Sequence, residues 1–134
     1  MRIGIHIVGD DYAPPAFVLA HRGITQNISG YSLFGPSGEP SPAGKIIEAV
    51  DRGDVDVAIV WGPIAGYFAK AAKNPLDIIP VTPSSDLGIP FAYDIAMGVR
   101  RGDSVLKAEL NGFIRTEAPE IRTILQQYGV PEVH

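Results

Sequence analysis

Asp54-Val-Asp-Val-Ala-Ile-Val-Trp-Gly-Pro-Ile-Ala-Gly-Tyr-Phe-Ala-Lys70 changes character halfway along, and the change decides the fold. Val55, Val57, Ile59 and Val60 form the β-branched apolar run of a strand covered on both faces, which predicts a central strand in a parallel sheet. Trp61-Gly62-Pro63 ends it, since glycine relaxes the backbone and proline leaves a sheet ladder but suits the first turn of a helix. A helix should follow to about residue 72. In open α/β sheets, ligands bind beyond the carboxyl ends of the strands, and Trp61 and Gly62 fall there. An indole at that place offers a broad apolar face and one donor; ordinary core filling is the competing role. Tyr67 and Phe68 read as the buried face of the helix rather than as site residues.

Working outward toward the amino terminus, Pro42 to Arg52 reads as a helix with Ala43, Ile46, Ile47 and Val50 on one side. Ile28 to Phe34 reads as a strand. Pro14-Pro15 opens a helix that His21-Arg22-Gly23 closes. Ile3, Ile5, Ile7 and Val8 open the chain as a strand. Asp10 and Asp11, after that strand, are candidates either to cap the following helix or to contact a ligand. The resulting β-α-β-α-β series favours a parallel sheet with right-handed crossovers.

In the other direction, Leu76 to Val81 reads as a strand, Thr82 to Pro90 as a linker, and Phe91 to Val99 as a strand packed on both faces apart from Asp94. A buried carboxylate needs a partner, so Asp94 should sit at a strand end or accept a hydrogen bond. Asp103 or Ser104 should cap a helix with Leu106, Leu110, Phe113 and Ile114 in one stripe. Pro119 starts a last helix, with Ile121, Ile124, Leu125 and Tyr128 inward and Gly129 at its end.

At 134 residues the chain fits one domain's worth of core, and a net charge of −4 without long charge runs gives no nucleic-acid footprint. It has no cysteine, which excludes a disulfide scaffold, a thiol nucleophile and a thiolate metal site. His6, His21 and His134 lack the spacing of zinc ligands. Gly38 to Lys45 fails as a phosphate loop, because Ile46 stands where the magnesium-binding hydroxyl belongs. Asn27-Ile-Ser29 and the two Arg-Gly-Asp tripeptides at Arg52 and Arg101 need no explanation beyond chance and turn chemistry. No pair of carboxylates and no nucleophile elbow indicates catalysis. Met1 to Val8 does not read as an export signal, and no apolar run is long enough to span a bilayer.

Four stretches together resemble a known family: Ile3-Gly-Ile-His-Ile-Val-Gly-Asp-Asp-Tyr12, Gly44-Lys-Ile-Ile-Glu-Ala-Val50, Asp56 to Phe68, and Leu87-Gly-Ile-Pro-Phe-Ala-Tyr-Asp-Ile-Ala-Met-Gly-Val-Arg100. They look like the quinoprotein-dehydrogenase-associated solute-binding-like proteins, the MoxJ/XoxJ group, and more broadly the type II periplasmic binding proteins. The resemblance implies an α/β fold in which residues 1–85 form a second lobe with a central, mostly parallel sheet flanked by helices. Residues 86–134 would then return, as strand, helix and helix, to an incomplete first lobe. With most of lobe one missing, it implies a fragment, a shortened product, or a protein whose two segments pack differently by exchange between subunits, and apolar surface on the tail that a homo-oligomer would cover. It further implies a non-enzymatic periplasmic protein without a cofactor of its own, serving a dehydrogenase dependent on pyrroloquinoline quinone (PQQ), such as methanol dehydrogenase. Protein contact or small-molecule delivery would be its means. Asp10, Asp11, Tyr12, Trp61, Gly62, Tyr93 and Asp94 are the expected contact residues. A transport receptor for an amino acid or other small solute, and a structural remnant that self-associates, are the competing readings.

Overall fold

A computed structural model describes residues 1–133. The sheet is built on β1 (Ile3–Val8), with β3 (Ile28–Ser32) parallel to it on one side and β4 (Val57–Ile59) parallel on the other. A two-residue strand, β2 (Asp11–Tyr12), pairs antiparallel with Ile7 and Val8. Ile7 also pairs with Ser32 of β3, so β2 lies on the β4 side and continues the line of that strand.

This order corrects one expectation. The central strand is β1; β4 bonds to β1 alone and leaves its outer edge open among the described residues. A β-branched apolar run shows that a strand is covered on its faces, and such a run occurs at a margin as readily as in the middle when helices cover both faces. Val57, half-exposed at the margin, bears the cost of that position.

Paired residues across a ladder share a face, which sorts the side chains into two layers. Gly4, His6, Tyr31 and Ala58 share one face, and Ile46 and Ile47 of α2 (Lys45–Asp51) and Ala65 of α3 (Gly62–Ala69) form the core cluster on it. Ile3, Ile5 and Ile59 share the other. The chain moves one way from β1 through α1 (Pro15–His21) to β3, then back across β1 through α2 to β4. Right-handed crossovers in opposite directions set α1 and α2 on opposite faces. The connections leaving β1 and β4 therefore diverge at the carboxyl end of the sheet.

The core is small: eight hydrophobic side chains are buried among the described residues, with Ile5 and Ile46 fully so. His6 is the one buried polar side chain among them, and its Nε2 lies 3.1 Å from the Ala43 carbonyl oxygen. Burial pushes the imidazole's pKa down, partly offset by that hydrogen bond. A histidine neutral in the fold but free to charge when unfolded makes the unfolded chain the better proton binder. Stability is therefore whole above the unfolded value of about 6.5 and declines as pH falls toward the lower folded value. Urea titrations at descending pH should show this decline, and His6→Gln should flatten it; an unchanged slope would discount His6.

Beyond α3 the described residues form a short hairpin and two helices. Asp103 caps α4 (Ser104–Thr116) by accepting from the Leu106 amide at 3.1 Å, as its position suggested. α5 (Ala118–Gln127) ends at Gly129, whose φ is 73°. The inward stripes expected of these helices are only half-covered, and no residue of either helix is buried. Leu76 to Val81 and Phe91 to Val99 are not strands. Both carry strand-like side chains, but β propensity measures fit to a neighbouring pleated surface, and neither stretch is paired with one here. Thr82 to Pro90 holds a minimal hairpin, β5 (Ser85–Asp86) with β6 (Ile89–Pro90), tied to the end of α1 by an ion pair between Arg22 and Asp86. The expected return of residues 86–134 as strand, helix and helix thus lacks its strand.

Candidate functional site at the carboxyl rim of the sheet

β1, β3 and β4 run parallel, so their carboxyl ends share one rim. Gly9 and Asp10 make the turn between β1 and β2; Gly9 has φ of 66°, which only glycine adopts without strain. Asp10, Asp11 and Tyr12 are consequently held outward on a hairpin, all exposed. They do not cap α1: its N-cap is Pro14, with no side-chain bond. The Ala13 amide donates to the His6 carbonyl at 2.8 Å and ends the hairpin.

Trp61 occupies the N-cap of α3 in extended conformation, and its carbonyl accepts from the Ile64 and Ala65 amides at 3.0 and 3.1 Å. Its side chain is 52% exposed, so core filling is not its role. Phe34, two residues past β3, is also exposed and stands on the same rim. Sequence reasoning passed over it as the end of an apolar run; its place just beyond a strand was the available signal. Tyr12, Phe34 and Trp61 are exposed at this end of the sheet together with Asp10 and Asp11, a set of side chains suited to apolar and cationic contact.

The other expected site residues are placed elsewhere. Gly62 is a packing residue: a Cβ there would stand 2.7 Å from Pro131. The Tyr93 hydroxyl donates to the Pro90 carbonyl at 2.6 Å, and Asp94 is exposed rather than buried among apolar neighbours. No described hydrogen bond or ion pair links either to the rim. The expected partner for Asp94 is therefore unnecessary, since water serves it.

Two depressions, of about 360 and 460 Å³, flank α3 instead. Glu48, Asp51, Arg52 and Lys73 give the first a charged margin; Tyr67, Lys70 and Tyr128 line the second. Trp61 lines neither. Asp51 accepts from the Lys73 and Asn74 amides at 3.0 and 2.9 Å and from the Asn74 side chain, and these bonds hold its carboxyl below the usual range. It is the clasp of the loop after α3. Asp51→Ala should speed proteolysis near residues 73–74 without disturbing the sheet, as limited digestion followed by mass mapping would show.

α3 also receives the chain's tail. Gly62 and Gly66, one turn apart, clear a path along which Gly129 to Pro131 lies against the helix. Lys70 donates to the carbonyls of Gln126 and Gln127 at 3.0 and 2.6 Å, a cation at the negative end of α5. Tyr67 stacks on Tyr128 at 6.1 Å and meets Phe68 edge-on at 5.1 Å; Phe68 packs on the core cluster as expected, whereas Tyr67 stays exposed and is covered only by the tail, which corrects its reading as part of the buried face.

Among the described residues no cluster of three or more potential metal ligands occurs, and no helix is long and apolar enough to cross a membrane. His134 lies outside the described residues. No family model matches the chain, and no solved structure does. The chain is 33% identical over 91 residues, 65% of its length, to Protein MoxJ of Methylorubrum extorquens. It is 27% identical over 93 residues, 66% of its length, to Protein MoxJ of Paracoccus denitrificans. The matches cover 30% and 34% of those relatives, so the chain spans about a third of their length. Over the matched part of its length, the chain is MoxJ-like.

Proposed function

We propose that this protein is a non-catalytic accessory of a PQQ-dependent alcohol dehydrogenase system in the periplasm, acting by contact with a protein partner. The likeness to two MoxJ proteins carries the reading. The site supports contact over solute capture: Asp10, Asp11, Tyr12 and Trp61 stand on an open rim, and neither depression near α3 includes them. A rim of aromatic side chains with carboxylates resembles the anchors of protein interfaces, where tyrosine and tryptophan contribute most.

The test is binding of the full chain to a PQQ-dependent methanol dehydrogenase, measured by interferometry at two salt concentrations. Trp61→Ala should weaken binding at least tenfold, and Asp10→Lys with Asp11→Lys should slow association, because rim charges act mainly on the encounter rate. Absence of any binding by the unaltered chain would refute the role. Unimpaired binding by the variants would move the contact to another face.

A further inference from the structure

The segment Phe91-Ala-Tyr-Asp-Ile-Ala-Met-Gly-Val99 alternates large apolar side chains at odd positions with small or polar ones at even positions. That period of two belongs to a strand. Yet the segment is unpaired, and Tyr93, Ile95 and Met97 are 57%, 69% and 54% exposed. It is tethered at both ends: upstream through the β5–β6 hairpin and the Arg22–Asp86 ion pair, downstream through α4 and α5 to the contact of Gly129 with Gly66. The same chain carries the complementary feature, the open outer edge of β4, where Val57 is half-exposed. An unpaired strand and an unpaired edge are each templates for strand addition.

We infer that residues 91–99 of one copy add as a parallel strand to the outer edge of β4 in a second copy, reciprocally, forming a symmetric dimer. Charge sets the direction. Arg100 and Arg101 end the segment, and Asp10 and Asp11 stand at the carboxyl end of the β4 line; none of the four is in an ion pair among the described residues. Parallel addition brings these opposite charges together and lays the arginines beside the Trp61 indole. Antiparallel addition would instead carry the arginines away from the unpaired Asp10 and Asp11, to the end of β4 where Asp56 and Asp54 are already paired with Arg2 and Arg52. The chain can supply both halves of this contact twice over, which is why a second copy, rather than a foreign sheet, is the occupant; a two-fold contact repeats the same patches on both subunits.

This inference goes beyond the proposed role and does not depend on it; where both hold, the dehydrogenase and the second copy compete for the acidic turn. The full chain should sediment as a dimer, and Ile95→Lys should yield a monomer with an unchanged circular dichroism spectrum, since Ile95 is exposed within one copy. Arg100→Glu with Arg101→Glu should raise the dimer dissociation constant about tenfold, the scale of a few rim charge pairs. Adding Asp10→Arg and Asp11→Arg to that variant should restore it. A wild-type monomer at all concentrations overturns the inference and leaves the dehydrogenase reading standing. A dimer indifferent to the arginine changes, or one that the compensating reversal fails to rescue, also overturns it. A dimer that behaves as described alongside a chain that never binds the dehydrogenase sinks only the proposed role.

Discussion

Ile46→Ala should be the most damaging single substitution in the protein, lowering stability by about 2–5 kcal/mol. Ile46 is fully buried, joins Ile47 and Ala65 in the core cluster, and lies so close over Gly4 that a Cβ there would stand 3.1 Å from its Cγ1. It is the side chain that fixes α2 to the sheet. Removing its outer carbons leaves a void that the surrounding layers cannot close, because Gly4 has no side chain to swing into it and Tyr31 is held in β3. A domain of this size has about 5–15 kcal/mol in all, and eight buried hydrophobic side chains leave little in reserve. Urea unfolding followed by circular dichroism should show either a much lower midpoint or no folded baseline. A loss under about 1 kcal/mol would mean that α2 is not the main cover of the sheet.

Gly66→Ala should have the second largest effect, and a different kind. Alanine in place of a helical glycine ordinarily stabilises by about 1 kcal/mol. Here the new Cβ would lie 1.7 Å from the Gly129 carbonyl oxygen, a backbone atom that cannot rotate away. The collision far outweighs the propensity gain, and the contact it breaks is the one that seats the end of α5. The tail should detach as a unit, taking the Lys70 bonds to Gln126 and Gln127 and the Tyr67–Tyr128 stacking with it. Limited proteolysis should then cut between α4 and α5 or beyond at wild-type-like sheet stability. Gly62→Ala, whose Cβ would press at 2.7 Å on the ring of Pro131, should show the same loss in milder form. Wild-type resistance to protease in Gly66→Ala would show that the tail is held by other contacts.

Side-chain periodicity located β1, α1, β3, α2, α3, α4 and α5, because each has a wet and a dry side that the residues record. It misplaced β4 and invented strands at 76–81 and 91–99. Alternation tells which way side chains point, and is silent on whether a neighbouring backbone is there to bond. Val57 and Ile95 have the same chemistry; one lies in a ladder and the other does not. For the rim, parallel connectivity was enough to bring Asp10, Asp11, Tyr12 and Trp61 to one side of the sheet, since parallel strands must end together. Phe34 belonged with them on the same argument. The hairpin that holds Asp11 and Tyr12 was not legible, because a two-residue strand has no period. The seating of Gly129 on Gly66 joins positions far apart in the chain, and a pair of glycines one turn apart on α3 was the only local sign of it.

Trp61 is the sole tryptophan in the sequence, and it heads the helix whose foot, Lys70, grips the tail. The chain therefore carries a built-in optical reporter. Undocking of α5 should withdraw Pro131 from Gly62, the indole's neighbour in the chain, and alter the indole's fluorescence colour and quenching. Intrinsic emission can consequently follow tail release in real time, without a dye, in the intact molecule.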